Sequence, residues 1–326
     1  MTVGAGSFCD MLISILIPAY ARPEQLGEAL ESIAQQDRSL IGEIIIGDDS
    51  PRSYWARNQE VIAASGLADL IEYLPSEPSR GTYPNHHFLG ARAKCDHILF
   101  LHNDDRLCPG ALTVLTNACA NETDPRVKLW FGRHQIMDEQ GRVSAERTDA
   151  NNEKYGRDGP ASARPMWEWC LTESVPPNSV LIGKETYTRY MQGPHDGNVG
   201  DWGFSVRLAN SGAWARFVPE FVSAYRVQPG SVTTSGRGVD VHRTFELAEQ
   251  LVVPPEAAAQ KTRRFGGLAI NAAIRYARDG ERAVAWRTFL SPQLSWRKRL
   301  SLRGMLVFAM LCTPRPLWLW ALRYKN

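Results

Sequence analysis

Residues 98–109 read ILFLHNDDRLCP. Ile98, Leu99, Phe100 and Leu101 form an unbroken apolar run, as expected of a strand covered on both faces of a sheet. His102, Asn103, Asp104 and Asp105 follow at once, and Pro109 with Gly110 closes the turn before the next apolar segment. Two adjacent carboxylates are thereby expected at the carboxyl end of a central strand, where open α/β sheets collect their ligands. Adjacent carboxylates repel each other, and a divalent cation shared with an anionic ligand relieves the repulsion. A solvated acidic turn would satisfy the same four residues, so the flanking sequence has to choose.

Upstream, residues 12–18 (LISILIP) are apolar and β-branched, a buried first strand. Pro23 suits the first turn of a helix, and Leu26, Leu30 and Ile33 recur at helical spacing over 23–36. A second strand, 43–47 (EIIIG), runs into Asp48, Asp49, Ser50 and Pro51. A helix over 58–65, a strand over 70–74, a loop over 75–84 and a helix over 88–94 lead back to the central strand. This alternation predicts an α/β fold with a doubly wound parallel sheet. No GxGxxG follows the first strand, which argues against a dinucleotide-binding oxidoreductase.

Downstream come a helix over 110–120 and a strand over 127–133 (VKLWFGR), then a polar stretch, 137–165, long enough to suggest a functional loop. Apolar residues 180–182, a Gly-rich turn over 193–203 (GPHDGNVGDWG), a helix over 204–210 and an extended segment over 217–225 complete this half. A Gly/Ser/Thr loop spans 228–238. From about residue 254 the pattern turns helical, with helices over 263–278 and 282–290 around Gly280. Glu281 is the last acidic residue of the chain; beyond it lie the basic stretch 294–303 (LSWRKRLSLR), apolar 305–312, Pro314, Pro316 and LWLWAL. Residues 1–250 are therefore expected to be the main domain, with halves near 1–135 and 136–250, and 251–326 a basic helical extension.

The net charge of +2, from 37 basic and 35 acidic residues, offers no global attraction for nucleic acid, and none is expected as a partner. Six scattered cysteines without a CxxC pair fit a reducing compartment. The opening MTVGAGSFCD lacks a signal-peptide pattern, and no apolar run reaches the roughly 18–20 residues of a spanning helix, so a cytoplasmic location is expected. Arg297, Lys298, Arg299 and Arg303 beside apolar 305–312, Trp318 and Trp320 raise peripheral attachment to the inner face of a membrane. A helical appendage packed on the main domain, its arginines solvated, accounts for the same residues.

Four segments in order resemble the metal-dependent nucleotide-sugar glycosyltransferases of family 2, whose fold is called GT-A: ILIPAYARP, EIIIGDDSP, AKCDHILFLHNDDRLCPGAL and GDWGFSVRLANSG…FVPEFVSAYRVQPGSVT. The resemblance covers about residues 13–234. It implies a Rossmann-like, mostly parallel central sheet flanked by helices, and an inverting transfer of a sugar from a nucleotide-diphosphate donor to an acceptor hydroxyl, in cell-surface polysaccharide or glycolipid synthesis. It implies Pro18, Ala19 and Tyr20 against the nucleotide base, Asp49 accepting from its imide NH, and Asp48 supporting that turn. It also places Asp104 near the ribose, Asp105 on Mn²⁺ or Mg²⁺ across the phosphates, and Asp201 as the general base.

Asp48 and Asp49 also suit a β-turn or helix cap, and Asp201 the cap of a helix over 202–210. Trp202 could lie under the acceptor sugar or in the core. Asn85, His86 and His87 fall where the family's pre-motif helix begins near the phosphates, although a helix cap would explain Asn85 as well. Three positions depart from the family pattern. His102 stands for the first Asp of Asp-x-Asp-Asp, Gly200 for the Glu before the base, and Gln228 for a His that can contact metal or phosphate. His242, downstream, could substitute for that His, or be an ordinary core or surface residue. An imide base favours a UDP- or TDP-sugar, with a glycan or lipid-linked glycan as acceptor. The rival readings are an inactive scaffold that binds a membrane or partner, and a sugar nucleotidyltransferase, whose Gly-rich basic N-terminal loop is missing from ILIPAYARP.

Overall fold

The computed structural model describes residues 11–192, 196–228 and 240–314, and the chain divides into two compact units, Met1–Gly236 and Arg237–Asn326. The sequence reading put the division at residue 250. The first ten residues, the loop over 229–238, Pro316 and the LWLWAL segment with Trp318 and Trp320 lie outside the described residues.

The first unit opens with β1 (Ile13–Ala19), α1 (Pro23–Ala34), β2 (Ile41–Asp48), α2 (Trp55–Ala64), β3 (Ile71–Pro75), α3 (Thr82–Arg92) and β4 (His97–Phe100). β1, β2, β3 and β4 pair in parallel in the order β3-β2-β1-β4. Ile13, Ile15 and Ile17 of β1 and Ile44 and Ile46 of β2 are fully buried and form one core with Leu26, Leu30 and Ile33 of α1. β-Branched side chains on two-sided strands and one apolar helix stripe suffice for this layer. Helix α3 begins at Thr82 and not near 88, because Pro84 is tolerated within the first turn, where its missing N–H has no helical partner to lose.

Beyond β4 run β5 (Arg106–Leu107), α4 (Ala111–Ala120), β6 (Val127–Met137), α5 (Ala145–Lys154), β7 (Ser162–Pro165), α6 (Met166–Thr172), β8 (Leu181–Gly183), α7 (Lys184–Tyr190), α8 (Gly200–Asn210) and β9 (Trp214–Arg226). The sheet continues β4-β8-β6-β9-β5, with β7 also on β9. β6 and β9 are parallel over a long register, and the short strands β5, β7 and β8 run antiparallel. The mostly parallel sheet of the sequence reading is therefore extended by short antiparallel pieces.

The polar stretch 137–165 is not a featureless loop; it holds α5 and β7. Asn152 of α5 accepts from His134 N at 3.2 Å and donates to His134 O at 2.8 Å, and Ser144 caps the helix. Side-chain amides bonded to backbone hold this segment, a device that leaves no apolar periodicity to read.

The second unit consists of α9 (Val241–Gln250), α10 (Ala258–Asp279), α11 (Arg282–Phe289), α12 (Trp296–Arg299) and α13 (Leu302–Cys312). Phe245, Ala269, Ala273, Tyr276, Ala285, Phe289, Val307 and Leu311 form its core. Gly280 ends α10 at φ 95°, a left-handed cap that an L side chain would strain. No helix among the described residues is long and apolar enough to cross a membrane.

Candidate active site

Because β1, β2 and β4 are parallel, their carboxyl ends meet along one edge. Asp49 N donates to Ala19 O at 3.0 Å and Leu101 N to Leu16 O at 3.0 Å, so the loops after all three strands lie side by side. Asp48 is fully buried and accepts from Asn58 Nδ2 at 2.7 Å, Tyr73 Oη at 2.5 Å and Ser50 N at 2.8 Å, a closed network that fixes the turn. Burial and this carboxylate together push the Tyr73 hydroxyl above its ordinary pKa. Asp49 accepts from Gly81 N at 2.8 Å and Ser79 Oγ at 3.1 Å and lies 3.2 Å from Arg80, organising the loop that precedes α3. Pro18 and Ala19 end β1, and Tyr20 after them stands 57% exposed. Ala21 follows at φ 48°, a left-handed backbone held by its N–H on Ser50 Oγ at 2.8 Å. Asn85 lies inside α3, not at its cap, and donates to Gly47 O at 2.8 Å, fastening the helix to β2.

The two carboxylates of the acidic turn have opposite surroundings. Asp105 is buried, with Oδ1 accepting from Arg226 N at 2.8 Å and Oδ2 from Asn178 Nδ2. Burial, and then the neighbouring Asp104 charge, push its pKa well above the usual carboxylate range. Asp104 is the more open of the pair; its Oδ2 meets the Arg22 guanidinium and accepts from Gln228 Nε2 at 3.0 Å. Gln228 in turn accepts from Gln25 Nε2 at 3.1 Å. The buried guanidinium of Arg226 donates to Asp104 O and Glu139 O, each at 2.8 Å, and pairs with Glu28. That pairing ties the end of β9 to the acidic turn. His102 Nδ1 lies 3.8 Å from Asp105 Oδ2, and one ligand atom from each of His102, Asp104 and Asp105 falls within 4.8 Å of the others. One imidazole nitrogen and two carboxylate oxygens at this spacing fit a divalent cation.

Asp201 sits in the first turn of α8, whose N-cap is Val199, so the capping role open to it in the sequence is not the one it plays. Its Oδ1 accepts from Tyr83 Oη at 2.7 Å. Burial, then the Asp201 charge, raise the Tyr83 hydroxyl well above its ordinary pKa, so it remains a donor. A Cβ at Gly200 would come within 2.4 Å of the Tyr83 ring, the physical reason glycine precedes Asp201 here. Trp202, next in α8, is partly buried. Burial lowers the His102 pKa, and the charges of Asp104 and Asp201 act against that shift. His242 belongs to the second unit, where its ring lies 4.0 Å from that of Tyr276 and Nε2 is 3.5 Å from Asp279.

Residues 14–155 match the model of the Glycosyl transferase family 2. That segment is similar to the family 2 glycosyltransferases. An uncharacterised protein of Mycobacterium tuberculosis, MT1568, is 33% identical over 125 residues, 38% of this chain and 37% of that protein. Among solved structures, S. aureus TarS aligns over 92% of this chain and 53% of its own, at 14% identity and a TM-score of 0.59. A TarS 1–349 structure in complex with UDP aligns over 92% of this chain and 88% of that one, at 14% identity and a TM-score of 0.60. The same TarS segment in complex with UDP-GlcNAc covers 85% and 87%, at 12% identity and 0.53. The chain thus spans little more than a third of the mycobacterial protein and about half of the TarS chain. At such identities the likeness to TarS concerns the fold, and it is the GT-A type expected from the sequence.

Several residues around this sheet edge are not marked as site residues by the sequence. Arg22, Glu28, Tyr83, Asn178 and Arg226 reach the acidic turn or Asp201 from five separate elements and loops. His86, which the sequence places with Asn85 and His87 where the pre-motif helix approaches the phosphates, also lies here: its Nδ1 is 2.7 Å from Thr82 O, its Nε2 3.3 Å from His102 Nε2, and its ring stacks on Phe100 at 5.0 Å. Burial, then the neighbouring His102, push its pKa down to about 3. The i, i+3 spacing of Tyr83 and His86 on one helix puts them on a shared face.

Proposed function

We propose that the chain is a metal-dependent, inverting glycosyltransferase that uses a nucleotide-diphosphate sugar. The observation that carries this is the convergence of His102, Asp104 and Asp105 at the carboxyl ends of parallel strands inside the segment similar to family 2. Asp104 and His102, with Asp105 behind them, would hold Mn²⁺ or Mg²⁺, which when bound supplies charge neutralisation for the departing nucleoside diphosphate. Pro18, Ala19, Tyr20 and Asp49 form the wall for the base, and Asp48 and Asn85 brace that wall from behind.

Asp201 takes the proton of the acceptor hydroxyl. The acceptor oxygen bonds to the anomeric carbon as the bond from that carbon to the diphosphate oxygen breaks, the diphosphate leaving with the electron pair. Attack opposite the leaving group inverts the anomeric centre. Tyr83 aims the Asp201 carboxylate through its hydroxyl. Gln228 acts through Asp104, and Trp202 lies one residue from the base, on the acceptor side. The TarS complexes with UDP and UDP-GlcNAc make a UDP-sugar the first donor to try, with a TDP-sugar next, and a glycan or lipid-linked glycan as acceptor.

The second unit supports peripheral attachment to an anionic bilayer. Gly304, Val307 and Leu311 of α13 face its core, while Leu302, Met305, Leu306 and Phe308 point to solvent beside exposed Trp296 and Leu300. Every charged residue between 282 and 314 is basic. An apolar face rimmed by arginines lies in the headgroup region and does not span it.

The decisive experiment is calorimetric titration of UDP, TDP and GDP, with and without Mn²⁺, on wild type and Asp201→Asn, followed by turnover of the matching sugar nucleotides. Cation-dependent binding retained in Asp201→Asn, with turnover reduced at least ~100-fold, supports the assignment. Absence of nucleotide binding under every condition would sink it and leave a scaffold.

A further inference from the structure

We infer that His102 is a nitrogen ligand for the divalent cation and that His86 sets the tautomer in which it binds. This rests on the metal-dependent reading above, and it concerns a position where this chain departs from the family pattern, which places a carboxylate where His102 stands. A carbonyl oxygen can only accept, so the 2.7 Å contact between His86 Nδ1 and Thr82 O fixes the His86 proton on Nδ1. The His86 ring is buried and stacked on Phe100, where a second proton would be charge in apolar surroundings, so Nε2 presents a lone pair. His102 Nε2 lies 3.3 Å from that lone pair. Two ring nitrogens at this distance need one hydrogen between them, and His102 must supply it.

With its proton on Nε2, His102 has a bare Nδ1, and this atom faces Asp105 Oδ2 at 3.8 Å within the cluster that includes Asp104. The Nδ1 lone pair and the Asp105 Oδ2 oxygen face each other with no hydrogen between them, while N–H donors of Arg22, Gln228, Asn178 and Arg226 occupy part of the two carboxylates. A cation resolves that arrangement, and a ligating imidazole oriented through its other nitrogen is how proteins usually present one. The consequence is selectivity. Replacing a hard oxygen by nitrogen moves the site from Mg²⁺, which demands oxygen and water, towards Mn²⁺ and Co²⁺.

The test uses the full chain with UDP and Mn²⁺. The pulsed electron-spin-echo spectrum of the ternary complex should show a coordinated ¹⁴N in wild type that disappears in His102→Asp. Calorimetry should show Mn²⁺ bound at least ~10-fold more tightly than Mg²⁺, with the ratio narrowing in His102→Asp. His86→Phe preserves the stacked ring but removes the acceptor, and should weaken Mn²⁺ by ~10-fold or more while the thermal transition is retained. Mn²⁺ bound with UDP but without nitrogen coupling would overturn the inference and leave the metal-dependent reading standing. No binding of either cation in the presence of UDP would overturn both. Unchanged Mn²⁺ affinity in a folded His86→Phe would remove His86 from its role.

Discussion

Tyr83 grips Asp201 twice over: its hydroxyl donates to Oδ1 at 2.7 Å, and its ring occupies the volume that a side chain at position 200 would need. A hydrogen bond to a charged group contributes about 1.5–3 kcal/mol, so Tyr83→Phe, which keeps the ring, should lower kcat by ~10–100-fold with nucleotide affinity nearly unchanged. Steady-state kinetics separates the two quantities, and a rise in KM alone would mean that Tyr83 only shapes the donor site. Gly200→Ala forces a Cβ to within 2.4 Å of the ring and should cost ~1–3 kcal/mol. In a Tyr83→Ala background the same change should cost far less, a non-additivity that thermal denaturation can read.

The two carboxylates of the acidic turn should separate cleanly by substitution. Asp105→Ala strips the partner from Arg226 N and Asn178 Nδ2 inside the core, and leaving buried donors unpaired costs ~1–3 kcal/mol each. Asp104→Ala removes a partly open carboxylate and should change the melting temperature little while abolishing cation-dependent nucleotide binding. A stable Asp105→Ala that has lost only cation binding would instead return the leading metal role to Asp105.

His134 gives the fold a pH dependence of definite sign. It is 3% exposed on β6, and burial, then the nearby Arg157, hold its pKa well below the ordinary value of 6.5. Below pH 6.5 the unfolded chain takes up a proton that the folded His134 refuses, so stability falls as the pH is lowered through that window. The contribution approaches ~1.4 kcal/mol per pH unit. Urea denaturation of wild type and His134→Leu at pH 7, 6 and 5 should show a shallower slope in the variant; equal slopes would place the titration elsewhere.

The exposed row on α13 should bind lipid. Wild type should float with vesicles containing phosphatidylserine and stay behind with purely zwitterionic ones, and Leu302→Glu with Leu306→Glu should abolish flotation without loss of folding. Equal behaviour on both vesicle types would refute a role for the arginines.

Much of the fold was legible in the sequence because its signals are local. The isoleucines of β1 and β2, the 26-30-33 stripe of α1 and the apolar run before His102 each declare an element and its burial. The alternation of elements then leaves few ways to connect them. Segments 145–154 and 162–165 were illegible for the converse reason: amide-to-backbone bonds from Asn152 hold the first and pairing with β9 holds the second, and neither leaves an apolar period.

For the site, the sequence by itself determined the acidic turn, its position after a central strand and the candidates Asp49, Asp104, Asp105 and Asp201. Only the tertiary structure decided which carboxylate faces outward, that Tyr83 and not a helix end receives Asp201, that Gln228 reaches Asp104, and that His86 meets His102 across α3 and β4. Chemistry that depends on residue type is written along the chain. Accessibility, tautomer and hydrogen-bond direction arise where residues far apart in sequence are brought within 3–4 Å, and no spacing along the chain encodes them.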